Sequence, residues 1–421
     1  MKLASSIDSK INFSFALFLI SMIAILFYHY IDGSTFLIPP QLETRFGDFD
    51  DVVPINLGHS AYDIFNSPYI GSGVVCYFPF TYLFFFFFFS IFKSSSFAIM
   101  ILIYIFSLIY FGFKNFQFSS EVTNIYKFLC IAIFSYGSFY VIERGNVDML
   151  ILSFLLLSFS YAERNKSARN ILLACAIAFK AIPAIFLFHY LKNKEYKDII
   201  LVAFTALLLT VISLFMMQGG TTGMIANINA FHQQLIHFQN YFVDQRKIVQ
   251  GNSIYHFLCV LSLLFPEPTN ILHAIVEYSI AHYVVIAFLL GLILLGIYIW
   301  KLNRLTNSQS ILYLTVLMCW LPMISYDYKR IFFIMPFGFF LIEKDEYPHK
   351  WIYCVLYILV FVPVNIHLES LIGITNLSQL TFPVEIILIN CVFATFLGLI
   401  ILDMFPNIRL NLKKRYASIF Q

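Results

Sequence analysis

Three carboxylates, Asp48, Asp50 and Asp51, lie within four residues near the start of the chain. They belong to a polar stretch, residues 46–79, that follows the first hydrophobic segment of an otherwise apolar sequence. A carboxylate that is partly desolvated at a membrane boundary is a suitable general base for taking a proton from a hydroxyl. We therefore predict that one of the three is a catalytic base; the alternative is a solvated acidic loop.

A second polar stretch, residues 143–148, lies between two apolar runs and is dense in charge. Ionisable residues in or beside membrane segments are costly and therefore indicate function. The structural alternative is helix capping, because Gly145 can end one helix and an Asn or Asp can begin the next. The polar residues of this stretch are Glu143, Arg144, Asn146 and Asp148.

Three more stretches carry cations or amides. Lys180 lies inside an apolar run, three residues before Pro183, where it can hold an anionic phosphate or simply extend to the membrane surface. The stretch 250–254 contains Asn252 and follows Arg246, and its Ser253 is a plausible helix N-cap. The stretch 326–330 combines aromatic and charged side chains, which also suits interfacial anchoring. Its candidate residues are Tyr326, Asp327, Lys329 and Arg330.

These residue types suit the transfer of a sugar from a lipid phosphate carrier. A base deprotonates the acceptor hydroxyl, cations stabilise the charge that grows on the leaving phosphate, and aromatic rings stack on sugar faces. We expect the donor phosphate to be held by Arg144, Lys180, Arg246, Lys329 and Arg330. We expect the sugar or the acceptor to contact Glu143, Asn146, Asp148, Tyr69, Tyr77, Asn252, Tyr326 and Asp327.

Composition defines the elements that must position these residues. Of 421 residues, 60% are hydrophobic and 12% are charged, and apolar runs near 20 residues recur. Runs of this length cross a hydrocarbon core of roughly 30 Å as helices, so we predict an all-α polytopic membrane protein with about 11–13 transmembrane helices. The net charge of +3 is too small to imply a nucleic-acid partner. No Gly-rich phosphate loop is visible, which disfavours a nucleotide-sugar donor.

Basic loops predict the orientation. Lys2 and Lys10 precede a retained first helix, and the loops 163–170 and 192–197 and the tail 411–416 are rich in cations, so these parts and both termini are predicted to be cytoplasmic. Because both flanks of residues 171–191 are then cytoplasmic, this broken segment is predicted to be a re-entrant hairpin. If every apolar run between residues 74 and 162 crossed the membrane, the loop 163–170 would lie on the outer side of the membrane, against its positive charge. We therefore expect one run between residues 74 and 142 to lie in the interface or only dip in.

The order of several short motifs resembles the GT-C glycosyltransferases, most closely the polyprenol-phosphate-mannose-dependent group, glycosyltransferase family 87. An acidic residue follows the first span, and the later motifs come in the same order along most of the chain. These motifs are Asn66-Ser67-Pro68-Tyr69, Tyr77-Phe78-Pro79, Gly145-Asn146-Val147-Asp148, Lys180 to Pro183, Gly251-Asn252-Ser253 and Ser325 to Tyr328.

The resemblance implies a polyprenyl-phosphate hexose donor used with inversion, and a catalytic acidic residue in the first outer loop. That family usually has one prominent Asp there; Asp48 matches its D-F pattern, whereas Asp51 better fits the distance to the following turn. Where Asn146 stands, the family often has glutamine. The resemblance also implies one integral membrane domain, 1–421, with a GT-C-like module at 1–200 that carries the catalytic loop 32–75. A variable module, 201–421, carries an outer loop at 218–253.

Bacterial O-antigen-modifying glucosyltransferases are similar in size and topology, so the sugar is mannose or glucose. We expect the site on the periplasmic face of a bacterial inner membrane, with a glycan or glycolipid such as O-antigen as acceptor. No cofactor is required, although the acidic cluster could hold a divalent ion. The alternatives are a transporter or flippase of lipid-linked sugars, which should show inverted repeats that we do not see, and an O-antigen polymerase or ligase.

Overall fold

A computed structural model describes most of the apolar part of the chain. The described residues are 2–32, 78–116, 122–161, 165–216, 251–265, 271–323, 325–343, 349–363 and 383–405, with isolated positions between 221 and 232. Within these ranges the chain is helical and forms no strand, so the prediction of an all-α fold is confirmed. Six of the predicted site residues lie outside the described ranges, namely Asp48, Asp50, Asp51, Tyr69, Tyr77 and Arg246.

The α-helices of the described ranges follow one another along the chain in this order: α1 (Lys2–Asp32), α2 (Pro79–Phe92), α3 (Ser96–Asn115), α4 (Thr123–Ile133), α5 (Tyr136–Arg144), α6 (Asp148–Ser160), α7 (Lys166–Phe179), α8 (Leu187–Lys192), α9 (Tyr196–Phe215), α10 (Ile254–Leu264), α11 (Ile271–Ala281), α12 (Tyr283–Trp300), α13 (Asn307–Trp320), α14 (Ile334–Ile342), α15 (Lys350–Phe361) and α16 (Pro383–Met404). Short 3-10 helices, Ile182–Phe186 and Asp327–Phe333, lead into α8 and α14.

Several of these helices can cross a membrane. By length and composition, five segments of the described chain qualify, and a sixth if α4 and α5, which meet at a bend of 52°, count as one span. The multi-pass prediction is confirmed, and the number of 11–13 spans stays a prediction. Helices α6 and α13 are buried on nearly every face and form the centre of the bundle, as expected of helices that are apolar all round.

At one end of the bundle, which we call the basic end, hydrogen bonds of charged residues connect the helices. The fully buried Lys10 ammonium donates to the carbonyl oxygens of Phe340 (2.6 Å) and Glu343 (2.9 Å). The Glu343 carboxylate accepts a hydrogen bond from Thr306 (2.9 Å). The next residue, Asn307, accepts a hydrogen bond from Lys192 (2.8 Å). These contacts bring the start of α1 together with the ends of α8 and α14.

Residues 166–192 form a hairpin that starts and ends at the basic end. Arg169, in the first turn of α7, donates to Glu195 (2.8 Å) and Asp198 (3.1 Å), which follow α8. Lys180 lies where the chain turns back. It pairs with Asp148 (2.7 Å), which is the first residue of α6 and lies away from the basic end. Helix α7 is only about 21 Å long, less than a hydrocarbon core of roughly 30 Å. The broken helix pair predicted near residues 171–191 is confirmed by this path, and its re-entry into the membrane stays a prediction. We call the end of the bundle that holds Lys180 and Asp148 the polar end.

Helices α2 and α3 together form one candidate span of the described chain. As one straight helix, residues 79–115 would be about 56 Å long, but the chain breaks at Lys93, whose φ is 49°. Helix α3 then runs to the basic end, where Tyr110 stacks on Tyr161 at 5.6 Å. Thr81, at the start of α2, donates to the carbonyl of Phe179 (2.9 Å), next to Lys180. Helix α2 therefore begins near the polar end, and the placement of one run in the interface stays a prediction.

The described residues that flank 33–77 are the end of α1 and residue 78, and both lie towards the polar end. Helix α1 passes Lys10 at the basic end and continues to Asp32, about 33 Å further on. The chain is described again from residue 78, beside the contact of Thr81 with Phe179. The three candidate bases of the sequence thus belong to a segment whose flanking residues both lie towards the polar end.

Candidate active site

The connection between α5 and α6 places Asp148 at the polar end. Gly145 has a left-handed backbone (φ 64°), and the N–H groups of Gly145 and Asn146 donate to the last carbonyls of α5 at 3.1 and 3.0 Å. The side-chain oxygen of Asn146 accepts from the Asp148 N–H (2.9 Å). The predicted helix break and cap are confirmed, and they fix Asp148, almost fully buried, in the first turn of α6.

Lys180 joins this connection to the break after α7. Its backbone is extended (φ −148°, ψ 137°), and Pro183 opens the following 3-10 turn. The ammonium nitrogen lies 2.7 Å from an oxygen of Asp148 and 3.4 Å from the side-chain oxygen of Asn146. The Lys180 side chain retains 19% of its exposure. An ion pair that is partly open to solvent at a helix break can accept a charged ligand.

Residues 251–253 and 325–326 form the next part of the polar end. The Asn252 N–H donates to the Ser325 carbonyl (2.6 Å), and its side-chain amide donates to the Tyr326 carbonyl (3.2 Å). Ser253 accepts from the His256 N–H, so the predicted N-cap of α10 is confirmed. The Ser253 hydroxyl also donates to the Met323 carbonyl (2.9 Å). This pairing fixes the backbone directly before the charged turn 327–330.

Arg330 is the centre of a buried charged cluster, and no part of its side chain is exposed. One of its nitrogens lies 2.7 Å from a Glu385 oxygen and 3.2 Å from an Asp327 oxygen, and another donates to Asn252 (3.3 Å). The guanidinium also stacks over the ring of Tyr136 at 5.0 Å. The cluster therefore ties the turn 327–330 to α10, α5 and α16.

Lys329 is the neighbour of Arg330 in the same turn. Its charge interacts with those of Asp148 and Lys180, and its carbonyl accepts a weak hydrogen bond from the Cys319 thiol (3.6 Å). The turn lies outside the candidate spans. Burial lowers the pKa of Lys329 to about 8, and the nearby Asp148 carboxylate partly opposes this. Burial raises the pKa of Asp327 above its usual value, against the influence of Arg330.

Tyrosine rings connect the two charged groups. Tyr136, beside Arg330, stacks on Tyr140 with ring centroids 5.8 Å apart, and Tyr140 lies 6.0 Å from Tyr328. The Tyr328 ring is 5.8 Å from the Lys180 ammonium and 5.5 Å from the ring of Tyr326. The half-buried Tyr326 is the most open ring of the row.

On the Lys180 side of the polar end, two cations of the described residues lie close to one carboxylate. Two ammonium groups, those of Lys180 and Lys329, face one carboxylate, that of Asp148. One oxygen of that carboxylate is buried and accepts no hydrogen bond from the described residues. Buried acceptors are nearly always satisfied, so this oxygen is suited to a ligand hydroxyl. The arrangement can hold an anion and a neighbouring hydroxyl group.

The structure thus brings together seven of the predicted site residues, from four separate stretches of sequence. They are Asn146, Asp148, Lys180, Asn252, Asp327, Lys329 and Arg330. Tyr326 lies in the same turn, and Glu143 and Arg144 form the half-buried last turn of α5. The roles assigned to all of these residues stay predictions. Sequence reasoning missed Glu385, although an isolated carboxylate at the start of an apolar run is a signal for function.

The polar end offers no metal site within the described part of the chain. The described residues contain no group of three or more His, Cys, Asp or Glu that could hold a metal ion. Asp48, Asp50 and Asp51 lie outside those residues, so the prediction that no metal is required stays a prediction.

The fold and the charged polar end define a multi-pass helical membrane protein with a candidate site at one end of the bundle. The model of glycosyltransferase family 87 matches residues 72–325, which is more than half of the chain. The chain belongs to this family and is a glycosyltransferase. No curated protein and no solved structure matches it. The matched region includes Asn146, Asp148, Lys180 and Asn252, but it begins after the three candidate bases and ends before Lys329.

Proposed function

We propose that this glycosyltransferase moves a hexose, mannose or glucose, from a polyprenyl phosphate carrier to a hydroxyl of a periplasmic glycan or glycolipid such as O-antigen. The observation that carries the proposal is the cluster of Lys180, Lys329 and Asp148, which places two cations and a carboxylate of the described residues at the polar end. A sugar-linked polyprenyl phosphate is a phosphodiester with one negative charge. The two ammonium groups are suited to an anion of this kind.

The reaction needs the cations most when the sugar leaves. A bond forms between the acceptor oxygen and C1 of the hexose while the bond from C1 to the phosphate oxygen breaks, with inversion at C1. The acceptor proton passes to a carboxylate, and the electron pair of the broken bond stays on the phosphate, whose charge grows from one towards two. Lys180 and Lys329 would stabilise this growing charge, and positioned charges of this kind are usually the largest contribution to catalysis.

The hexose would lie next to the phosphate. The buried Asp148 oxygen that accepts no hydrogen bond from the described residues is suited to a hydroxyl of the donor sugar. Tyr326 and Tyr328, which stand beside Lys180, are suited to stacking on a sugar face. The first loop supports the proposal because the described residues that flank it both lie towards the polar end. The base would come from Asp48, Asp50 or Asp51.

The orientation belongs to the same proposal. With the basic end in the cytoplasm, both termini would be cytoplasmic, and the polar end would face the periplasm of a bacterial inner membrane. A lipid-linked donor reaches such a site from within the bilayer, so no nucleotide-binding domain is needed.

The base assignment can be tested by substitution in the first loop. Asp48→Asn, Asp50→Asn and Asp51→Asn would be assayed for hexose transfer from undecaprenyl-phosphate hexose by the purified protein, with a membrane glycan extract as acceptor. One of the three should lose about 10²–10⁴-fold in rate, because general-base catalysis typically contributes that much. Asp63→Asn, in the same loop, is the matched control and should keep the wild-type rate. Full activity in all three variants would refute the assignment.

A further inference from the structure

We propose that Glu385 is a positioning residue for the donor phosphate and that it acts through Arg330 on Lys329. This inference rests on the proposed function, because it assumes that Lys329 contacts the phosphate. Glu385 lies in α16, outside the part of the chain that the family model matches. It therefore adds the last helix of the protein to the candidate site.

The first step is the contact between Glu385 and Arg330. The two charged groups are 2.7 Å apart, and both side chains are almost completely buried. A buried ion pair is held in place strongly, since removal of one partner leaves an uncompensated charge in a low-dielectric environment. Arg330 is further held by Asp327 and Asn252. The pair therefore fixes the turn 327–330 against the start of α16.

The second step is the contact between that turn and the phosphate cluster. Lys329 is the neighbour of Arg330 in a 3-10 helix, and its charge interacts with those of Asp148 and Lys180. The ring of Tyr328, in the same turn, lies 5.8 Å from the Lys180 ammonium, which pairs with Asp148. The backbone of the turn is also held by the antiparallel bridge of Tyr326 with Gly251. Because Arg330 anchors one side of the turn, a shift of its guanidinium moves the backbone from which Lys329 extends.

The charge of Glu385 is suited to this task because it is paired with Arg330 inside the protein. Only 3% of the residue is exposed, and its described ionic partner is Arg330. A residue that only stabilised the fold would affect all steps equally. A positioning residue should affect the step in which charge grows on the phosphate, so its loss should lower kcat more than it raises KM.

The test compares Glu385→Gln and Glu385→Asp with a matched control in transfer from undecaprenyl-phosphate hexose. Glu385→Gln should lose about 100-fold in kcat, since small displacements of a positioned group cost about that much. Glu385→Asp keeps the charge and should recover part of the loss. The control is Asp403→Asn, at the other end of the same helix, where the carboxylate accepts from Gln309 (2.9 Å). It should keep the wild-type kcat.

The decisive comparison is made in a Lys329→Met background. If Glu385 acts through Lys329, adding Glu385→Gln or Glu385→Asp to Lys329→Met should cause no further loss, because residues that act as a unit are non-additive. If the losses of the two single variants multiply in the double variant, the inference is overturned. Should Glu385→Gln fail to fold, Glu385→Asp alone gives the same comparison. If Lys329→Met itself keeps full activity, the phosphate role of Lys329 in the proposed function fails instead.

Discussion

Lys180 is the residue on which the proposed donor site depends most. It is the cation of the site that retains solvent exposure beside the buried Asp148 carboxylate, and it stands where a helix breaks. We expect Lys180→Gln to lower kcat/KM for undecaprenyl-phosphate hexose by about 10²–10³-fold, because removal of one group that stabilises the growing charge costs about that much in kcat. Initial-rate kinetics would measure the change.

A matched control is available at the basic end. Lys192 also ends a helical segment of the same hairpin and makes a hydrogen bond with Asn307. Lys192→Gln should keep the wild-type kcat/KM. Equal losses in the two variants would show that Lys180 supports the fold of the hairpin rather than the donor phosphate.

The protonation of Lys329 predicts how the rate depends on pH. Burial lowers the pKa of this ammonium to about 8, so it loses its positive charge as the pH rises through that value. The value of kcat/KM for the donor should therefore fall on the alkaline side, with an apparent pKa near 8. In Lys329→Arg, whose guanidinium stays charged, the fall should disappear from this pH range. An unchanged alkaline fall in that variant would assign it to another group.

At the scale of the elements, the sequence predicted the helix ends better than the contacts between them. The Gly145 break, the Ser253 cap and the hairpin around Pro183 follow from local backbone rules, and the structure confirms them. The pairing of Lys180 with Asp148 joins segments 32 residues apart and depends on how the bundle packs. Glu385 lies still further from its partner Arg330, and only tertiary structure brings them together.

One such contact between elements is the packing of α5 on the charged turn. A Cβ at Gly137 would lie 2.6 Å from the backbone nitrogen of Ile331, which leaves no room for a larger residue. Gly137→Ala should therefore destabilise the protein by about 1–3 kcal/mol, as overpacking typically does. Thermal unfolding in detergent would measure the loss. Gly398→Ala is the control, because nothing lies within 4 Å of its added Cβ, and it should be neutral or slightly stabilising.

At the scale of the whole molecule, the path of the chain predicts which loops share a side of the membrane. Single cysteines in a cysteine-free background would be labelled in intact cells with a membrane-impermeant maleimide. We expect α2 to be the run that lies in the interface, so Ser94→Cys, between α2 and α3, should react from outside. Ser167→Cys, at the basic end, should react only after the membrane is permeabilised. Labelling of Ser94→Cys only after permeabilisation would show that α2 crosses the membrane.

The choice of donor tests the central claim most directly. Purified protein would receive radiolabelled hexose as undecaprenyl-phosphate glucose, undecaprenyl-phosphate mannose, UDP-glucose or GDP-mannose, with the same glycan extract as acceptor. We predict that the label is transferred from one lipid-linked donor, with release of undecaprenyl phosphate, and not from either nucleotide sugar. Transfer from a nucleotide sugar alone, or movement of the lipid-linked donor across the membrane without cleavage of its sugar–phosphate bond, would contradict the account.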